Sequence, residues 1–332
     1  MKYIIDGHYD ILMDVAARRK KGERQVIRRR YYPAFQKGGV TGIVASIFVD
    51  SQYLPYGALS VAMEQISALH CEIEETPDLL MLCTSADDFL RAAETGRIGF
   101  LLSFEGAEPV SSCLLLHGFY AAGVRGLGLA WSRRNAAADG CDFSGSLKKG
   151  GLTEFGRELV KEAEDLHMIL DLSHLSDEGV EDVLSITSCP VIASHSNSRA
   201  VAGSNRNLTD CQMRETASRG GTVGLNGCSL LTAGPGVSPD QNGLTAHLDH
   251  MTEIMGEDHV ALGFDFCDSF FADDLSSSTD QMPERPFDIL SGAHEDLPAF
   301  LDHLRQHGYT ESHLTKLAGE NWLHTFRHIL KH

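Results

Sequence analysis

The chain has 332 residues, with 28 Lys and Arg against 46 Asp and Glu and a formal charge of -18. That charge argues against nucleic acid, whose phosphates it would repel, and no apolar run is long enough for a membrane span. An apolar fraction of 42% and a mean hydropathy of -0.14 describe a globular chain able to bury a sizeable core.

The first predicted strand covers residues 3–10 and ends in Asp6-Gly7-His8-Tyr9-Asp10. His8 and Asp10 are separated by one residue, so on a strand both point the same way. An imidazole and a carboxylate so placed are two ready metal ligands. A basic patch follows: Arg18-Arg19-Lys20-Lys21, Arg24 and Arg28-Arg29-Arg30. It reads first as a solvated loop, and second as a loop near the mouth that attracts anionic substrate groups. Further strands are predicted at 40–50, 98–106, 124–131, 168–174, 190–196, 222–226 and 259–266. Most are near-continuous apolar runs, as parallel strands covered on both faces require.

Helices are predicted between the strands. The clearest covers 153–167, with Phe155, Leu159, Ala163 and Leu166 on one face. Ser85 and Ser176 are expected to cap two others, and Thr209 to Gln212 fits a capping box. A helix near 244–256, a long Ser-, Asp- and Pro-rich loop over 268–293 and a closing helix near 310–330 complete the chain. Eight β/α units in residues 1–332 predict one α/β domain, a (β/α)8 TIM-like barrel; a doubly wound open sheet is the competing fold. The N-terminus turns acidic too soon for a secretory signal. Eight scattered cysteines without a Cys-x-x-Cys pair fit reduced thiols, so a cytoplasmic location is expected.

Polar residues gather at the carboxyl ends of the apolar runs: His8 and Asp10, Glu105, His174, His195 and Asp265. In a barrel these tips converge on one mouth. Buried like charges need a positive partner. Divalent cations supply it, and His, Asp and Glu suit Zn2+, Mn2+ or Fe2+. Three histidines, an aspartate and a glutamate suffice for two metals if one carboxylate bridges. Each residue also has an ordinary reading: a turn pair for His8 and Asp10, a helix cap for Glu105, buried imidazoles for His174 and His195. His247, His250, His303, His307, His313, His324 and His328 fall in helical runs and read as surface or packing residues. Arg206 precedes a capped helix. It is either a surface arginine or a fork that grips a carboxylate, with Asn207 and Asp210 available to orient it.

These motifs, with Gly151 to Gly156, Arg206-Asn207-Leu208-Thr209-Asp210 and Gly263-Phe264-Asp265-Phe266, resemble the membrane dipeptidase family of zinc peptidases over nearly the whole chain. The resemblance implies a (β/α)8 barrel with two Zn2+ ions. His8, Asp10 and Glu105 would hold one and Glu105, His174 and His195 the other, Glu105 bridging. A hydroxide between the metals would attack a dipeptide's peptide bond, including that of an L-Xaa-D-Xaa dipeptide. Asp265 would be the general acid/base, and Arg206 would bind the C-terminal carboxylate. A homodimer is also implied. Three positions depart from the family pattern: Trp131 stands where His is frequent, Tyr9 where Asn is common, and Cys267 where a second Asp is usual. Trp131 would still line the substrate site and can donate one N–H but no charge. It keeps two alternatives open: a binuclear amidohydrolase acting on another small amide, such as an N-acyl amino acid, and a metal-binding homologue without activity.

Overall fold

The computed structural model describes residues 1–141, 150–271 and 287–331. Nine strands run in chain order among them: β1 Ile5–Tyr9, β2 Gly42–Phe48, β3 Leu80–Leu82, β4 Ile98–Glu105, β5 Val124–Gly128, β6 Ile169–Asp171, β7 Ile192–Ala193, β8 Thr222–Leu225 and β9 Val260–Leu262. All pairings are parallel, in the order β1-β2-β4-β5-β6-β7-β8-β9. β3 flanks the start of β4, Leu80 opposite Ile98. Side-chain and main-chain bonds bring β9 back to β1: Phe264 N–H donates to Asp6 Oδ1 at 3.0 Å, and Asp265 N approaches His8 O at 3.4 Å. This is a nearly closed eight-stranded barrel sheathed in helices, and the open-sheet alternative falls.

All eight predicted strands form, but most are shorter than their apolar runs at the carboxyl end. The reason is a change of hydrogen-bond acceptor. Beyond Asp171 and Ala193, backbone donors turn from the ladder to side chains. Ser173 and Ser194 N–H both donate to Asp171 Oδ1, and His195 N–H donates to Ser173 Oγ. The tips therefore leave the sheet with their backbone groups satisfied, free to aim polar side chains inward. β3 escaped prediction because three residues carry too little periodicity to register.

The helices largely match expectation. Glu154–Asp165 is capped by Thr153, and Ser85, Ser176 and Thr209 cap the helices that follow them, the first and last with reciprocal capping boxes. Gln241–Met255 is the helix expected near 244–256, and the closing helix runs as Glu311–Thr315, a π-turn and Asn321–Ile329. Part of the expected loop 268–293 lies outside the described residues. Its described ends carry the short helix Asp268–Phe271 and the start of the 3-10 turn Ala293–Asp296.

The basic stretch is a solvated turn only at Lys21 and Arg24; the rest is helical, with Arg28 to Arg30 exposed. Arg18 and Arg19 lie in the last turn of the helix Ile11–Lys20, and Arg28 to Arg30 lie in the π-turn Ile27–Tyr31. Arg18 is buried on Asp14, and Arg19 pairs with Glu72 and Glu75 of the helix Ala58–Glu75. The acidic partners sit about 55 residues along the chain, invisible to a local reading of charge. The residues Arg19 to Lys20 thus pin two helices outside the barrel.

The core fills both sides of the barrel wall. Trp322, fully buried, donates its indole N–H to Leu262 O at 2.8 Å and lies where a side chain at position 7 would stand; a Cβ on Gly7 would meet it at 2.4 Å. Near the mouth the wall narrows around Ser194, whose carbonyl oxygen would lie 1.9 Å from a Cβ at either Gly224 or Gly263. Glycine at these two positions lets β7 approach β8 and β9 closely enough to bring His195 beside His8.

Candidate metal centre

The barrel brings all six strand-tip residues together. His8 is the fourth residue of β1, and Asp10 follows that strand. Glu105 ends β4. His174, His195 and Asp265 follow β6, β7 and β9. His174 and Asp265 both take left-handed backbone, φ 69° and 59°, a conformation uncommon outside glycine but one that His and Asp adopt more readily than most residues. Three triads have ligand atoms within 4.8 Å of one another: His8, Asp10 and Glu105; Glu105, His174 and His195; His8, His195 and Asp265. The first two are the sets expected from the sequence, with Glu105 in both.

The distances describe a crowd of acceptors. His8 Nε2 stands 3.5 Å from Glu105 Oε2, 3.6 Å from Asp10 Oδ1 and 3.8 Å from Asp265 Oδ1. It is buried without a hydrogen-bond partner. Glu105 Oε1 lies 2.9 Å from His174 Nε2 and 3.6 Å from His195 Nε2, and those two nitrogens are themselves 2.9 Å apart. The His8 and His195 rings stack at 3.7 Å. Three carboxylates and three imidazoles packed out of water need positive charge among them.

Electrostatics record the same demand. Burial, then the Asp10 charge, pushes Glu105 up to about 8. Burial likewise raises Asp265 to about 6. Burial holds His174 and His195 well below the usual imidazole range, which keeps them neutral and able to ligate. Burial also opposes charge on His8, but Glu105 and Asp10 outweigh it and raise its pKa well above normal. The neutral imidazoles, the carboxylates and the unpartnered His8 Nε2 fit a divalent cation site of borderline character.

A second layer holds these ligands, and the sequence reading had given it no role. Ser46 hydroxyl bonds to Asp10. Ser132 Oγ lies 2.8 Å from His174 Nδ1, and Ser194 Oγ 2.7 Å from His195 Nδ1. Asn226, fully buried at the end of β8, donates to Asp265 Oδ2 at 3.2 Å. Asp6 accepts from His8 N–H and Phe264 N–H and pairs with buried His294 at 2.8 Å. Asp171 and Asp6 sit inside motifs that had been noticed, but hydroxyl and asparagine partners carry no spacing signal of their own.

Arg206 is buried beside the centre. Its Nη1 donates to Ser196 Oγ and its Nη2 to His195 O, each at 2.7 Å, and its Nε is buried with no partner. Asn207 and Asp210 do not orient it, contrary to expectation: Asn207 donates to Ala202 O and Leu231 O, and Asp210 pairs with His250. Trp131 packs edge-on against Phe48, its ring 4.7 Å from Phe48 and 6.0 Å from His174, with the Arg133 guanidinium 5.0 Å from its centre. Arg133 donates to Ser51 Oγ and Val49 O, so Trp131 forms a braced wall of the mouth. Tyr9 belongs to the core, against Tyr31, Phe35, Phe270 and His294. Cys267 N–H donates to Asp288. Neither departure removes a ligand. Of the helical histidines, His247 and His313 are buried, His247 between Ser198 N–H and Thr232 O. Cys71, Cys83, Cys113, Cys189, Cys211, Cys228 and Cys267 are free thiols, and no described helix is long and apolar enough to cross a membrane.

Comparison with known proteins agrees with this geometry. Residues 2–331 match the family model for membrane dipeptidase, peptidase family M19. A Klebsiella pneumoniae protein, described as an uncharacterized protein in the pqqA 5' region, is 33% identical over 283 residues, 83% of this chain and 98% of that protein. Dipeptidase verJ of Clonostachys rogersoniana is 32% identical over 219 residues, 66% of this chain and 55% of that protein. Among solved structures, a Rhodobacter sphaeroides metallopeptidase bound to a phosphinate mimic of L-Ala-D-Ala superposes with a TM-score of 0.83 at 29% identity, covering 98% of this chain and 99% of that one. A second, dipeptidase AC of family M19, gives 0.84 at 28% identity with 99% of both chains covered.

Proposed function

The chain belongs to the membrane dipeptidase family, peptidase family M19, and from that premise we propose how its mouth cleaves a dipeptide. It is a metal-dependent dipeptidase, and residues 1–332 act as one catalytic barrel. The single observation that carries the reading is the sharing of Glu105 between two triads of ligand atoms at one mouth.

His8, Asp10 and Glu105 would hold one zinc ion, and Glu105, His174 and His195 would hold a second. Bound there, the pair supplies Lewis acidity toward water and the scissile carbonyl. The protein's own residues do the rest. Asp265, beside His8 and His195 at the mouth, takes a proton from the attacking water and returns it to the leaving amine, a task suited to a carboxylate held within reach of both. Asn226 ties up Oδ2 of that carboxylate, so Oδ1, on the His8 side, moves the proton. Arg206 receives the C-terminal carboxylate: two of its five N–H groups are spent on Ser196 and His195, and three remain for a ligand. Trp131 and Phe48 bound the substrate on the His174 side.

The test is a panel of L,L- and L,D-dipeptides with metal-loaded protein, run beside N-acyl amino acids, which share the carboxylate and the amide. Hydrolysis of dipeptides is the expected result. Cleavage of N-acyl substrates alone would move the reading to another amide, and no hydrolysis by a fully metal-loaded chain would leave a binding protein.

A further inference from the structure

Each imidazole of the centre presents Nε2 to the carboxylates and turns Nδ1 to a hydroxyl. For His8 and His195 the hydroxyl is the same one. Ser194 Oγ lies 2.7 Å from His195 Nδ1 and 3.5 Å from His8 Nδ1, and it bonds to Asp171 Oδ2. Asp171 Oδ1 accepts from the N–H of Ser173 at 3.0 Å and of Ser194 at 2.9 Å. Ser194 is 1% exposed and Asp171 6%, so water does not substitute for either partner.

The direction of the protons follows. A carboxylate only accepts, so the Ser194 proton points at Asp171. The hydroxyl oxygen is left with two lone pairs and no further proton to give. Neither facing Nδ1 can accept a proton from it, so His195 Nδ1 at 2.7 Å and His8 Nδ1 at 3.5 Å face the oxygen as donors, with Ser173 Oγ a further neighbour at 3.5 Å. A neutral imidazole with its proton on Nδ1 has a bare lone pair on Nε2. That is the nitrogen which faces Glu105 in both rings. We propose that Asp171 and Ser194 are positioning residues that order protons at the centre, one hydroxyl fixing the ligating tautomer of a histidine in each metal set. Ser132, which meets His174 and Cys141 but neither other imidazole of the centre among the described contacts, serves one set. The proposal rests on the two-metal reading above.

Asp171→Asn is the informative substitution because it conserves shape and reverses the relay. Asparagine must keep its oxygen on the two backbone donors, which places its NH2 against Ser194 Oγ. The serine proton is then displaced toward His195 Nδ1, which becomes an acceptor, and the imidazole proton moves to Nε2. Titration of the purified metal-free proteins with Zn2+ or Co2+ should show a fall of about 10–100-fold in affinity at the site His195 serves, the usual cost of losing an outer-shell partner, while the second lone pair of Ser194 Oγ goes on accepting from His8. Ser194→Ala should weaken both sites, and Ser132→Ala only one. Nitrogen-15 spectra of histidine-labelled, metal-free protein give a readout independent of metal: His195 should carry Nδ1–H in the wild type and Nε2–H in Asp171→Asn. Wild-type affinity in both Asp171→Asn and Ser194→Ala, a loss confined to one site in Ser194→Ala, or an unchanged His195 tautomer would overturn the relay. A wild type that binds no metal would instead refute the two-metal reading, while the tautomers still decide the relay.

Discussion

Replacing Arg206 by alanine tests how the site limits itself to short substrates. The guanidinium is 7% exposed and already fixed by two 2.7 Å bonds to Ser196 Oγ and His195 O, so a substrate carboxylate meets a fork whose ordering is complete. A hydrogen bond between charged groups contributes about 1.5–3 kcal/mol. Two of them, less the cost of drying the carboxylate, leave roughly 3–4 kcal/mol, or about 10²–10³-fold in kcat/KM. The assay compares a dipeptide with its C-terminal amide on wild type and Arg206→Ala, each checked for metal content. Wild type should favour the free acid by that factor, and the variant should treat both substrates within a few-fold. Arg206→Lys should recover little, because a point charge cannot hold Ser196, His195 O and a carboxylate together. An acid preference that survives in Arg206→Ala would refute the carboxylate clamp.

Three further outcomes are expected. Asp265→Asn should lower kcat by about 10²–10⁴-fold with metal content unchanged; full rate would mean another group moves the proton. Glu105→Gln should deplete metal at both sites and His174→Ala at one, as elemental analysis after dialysis will show; equal depletion would deny Glu105 its shared place. His247 gives a pH dependence of stability. Burial holds it down at about 4 in the fold, against about 6.5 unfolded, so its contribution is complete above pH 6.5. As pH falls toward 4 the unfolded chain takes the proton first, and about 2–3 kcal/mol is lost. Urea midpoints at pH 7 and 4.5 should therefore fall further for wild type than for His247→Gln, and parallel losses would show that His247 is not the group responsible.

Parallel strands buried on both faces were legible in their apolar runs, and the ligands because they end those runs, whereas closure of the sheet is decided by the contacts of residues 264 and 265 with Asp6 and His8. His8, Asp10, Glu105, His174 and His195 meet as their positions implied. What stayed hidden depends on contacts between distant segments. Arg19 finds Glu72 and Glu75 on another helix, so its charge run looked like solvent-exposed loop. Arg206 is held by Ser196 and His195 rather than by its own neighbours, because Asn207 is spent on Ala202 O and Leu231 O and Asp210 on His250. Asp6 and His294 are 288 positions apart, and Ser194 serves His8 from 186 residues away. Hydroxyls and amides that steady a ligand have no periodicity and no charge pattern, so only the fold reveals them.

The central claim is that one mouth holds two metals and hydrolyses dipeptides. Its most direct test is a titration of metal-free protein with Zn2+, with metal bound per chain and dipeptide hydrolysis followed together. Activity should rise to a maximum as occupancy approaches two ions per chain and vanish on chelation. Full activity at one ion, or none at two, would contradict it.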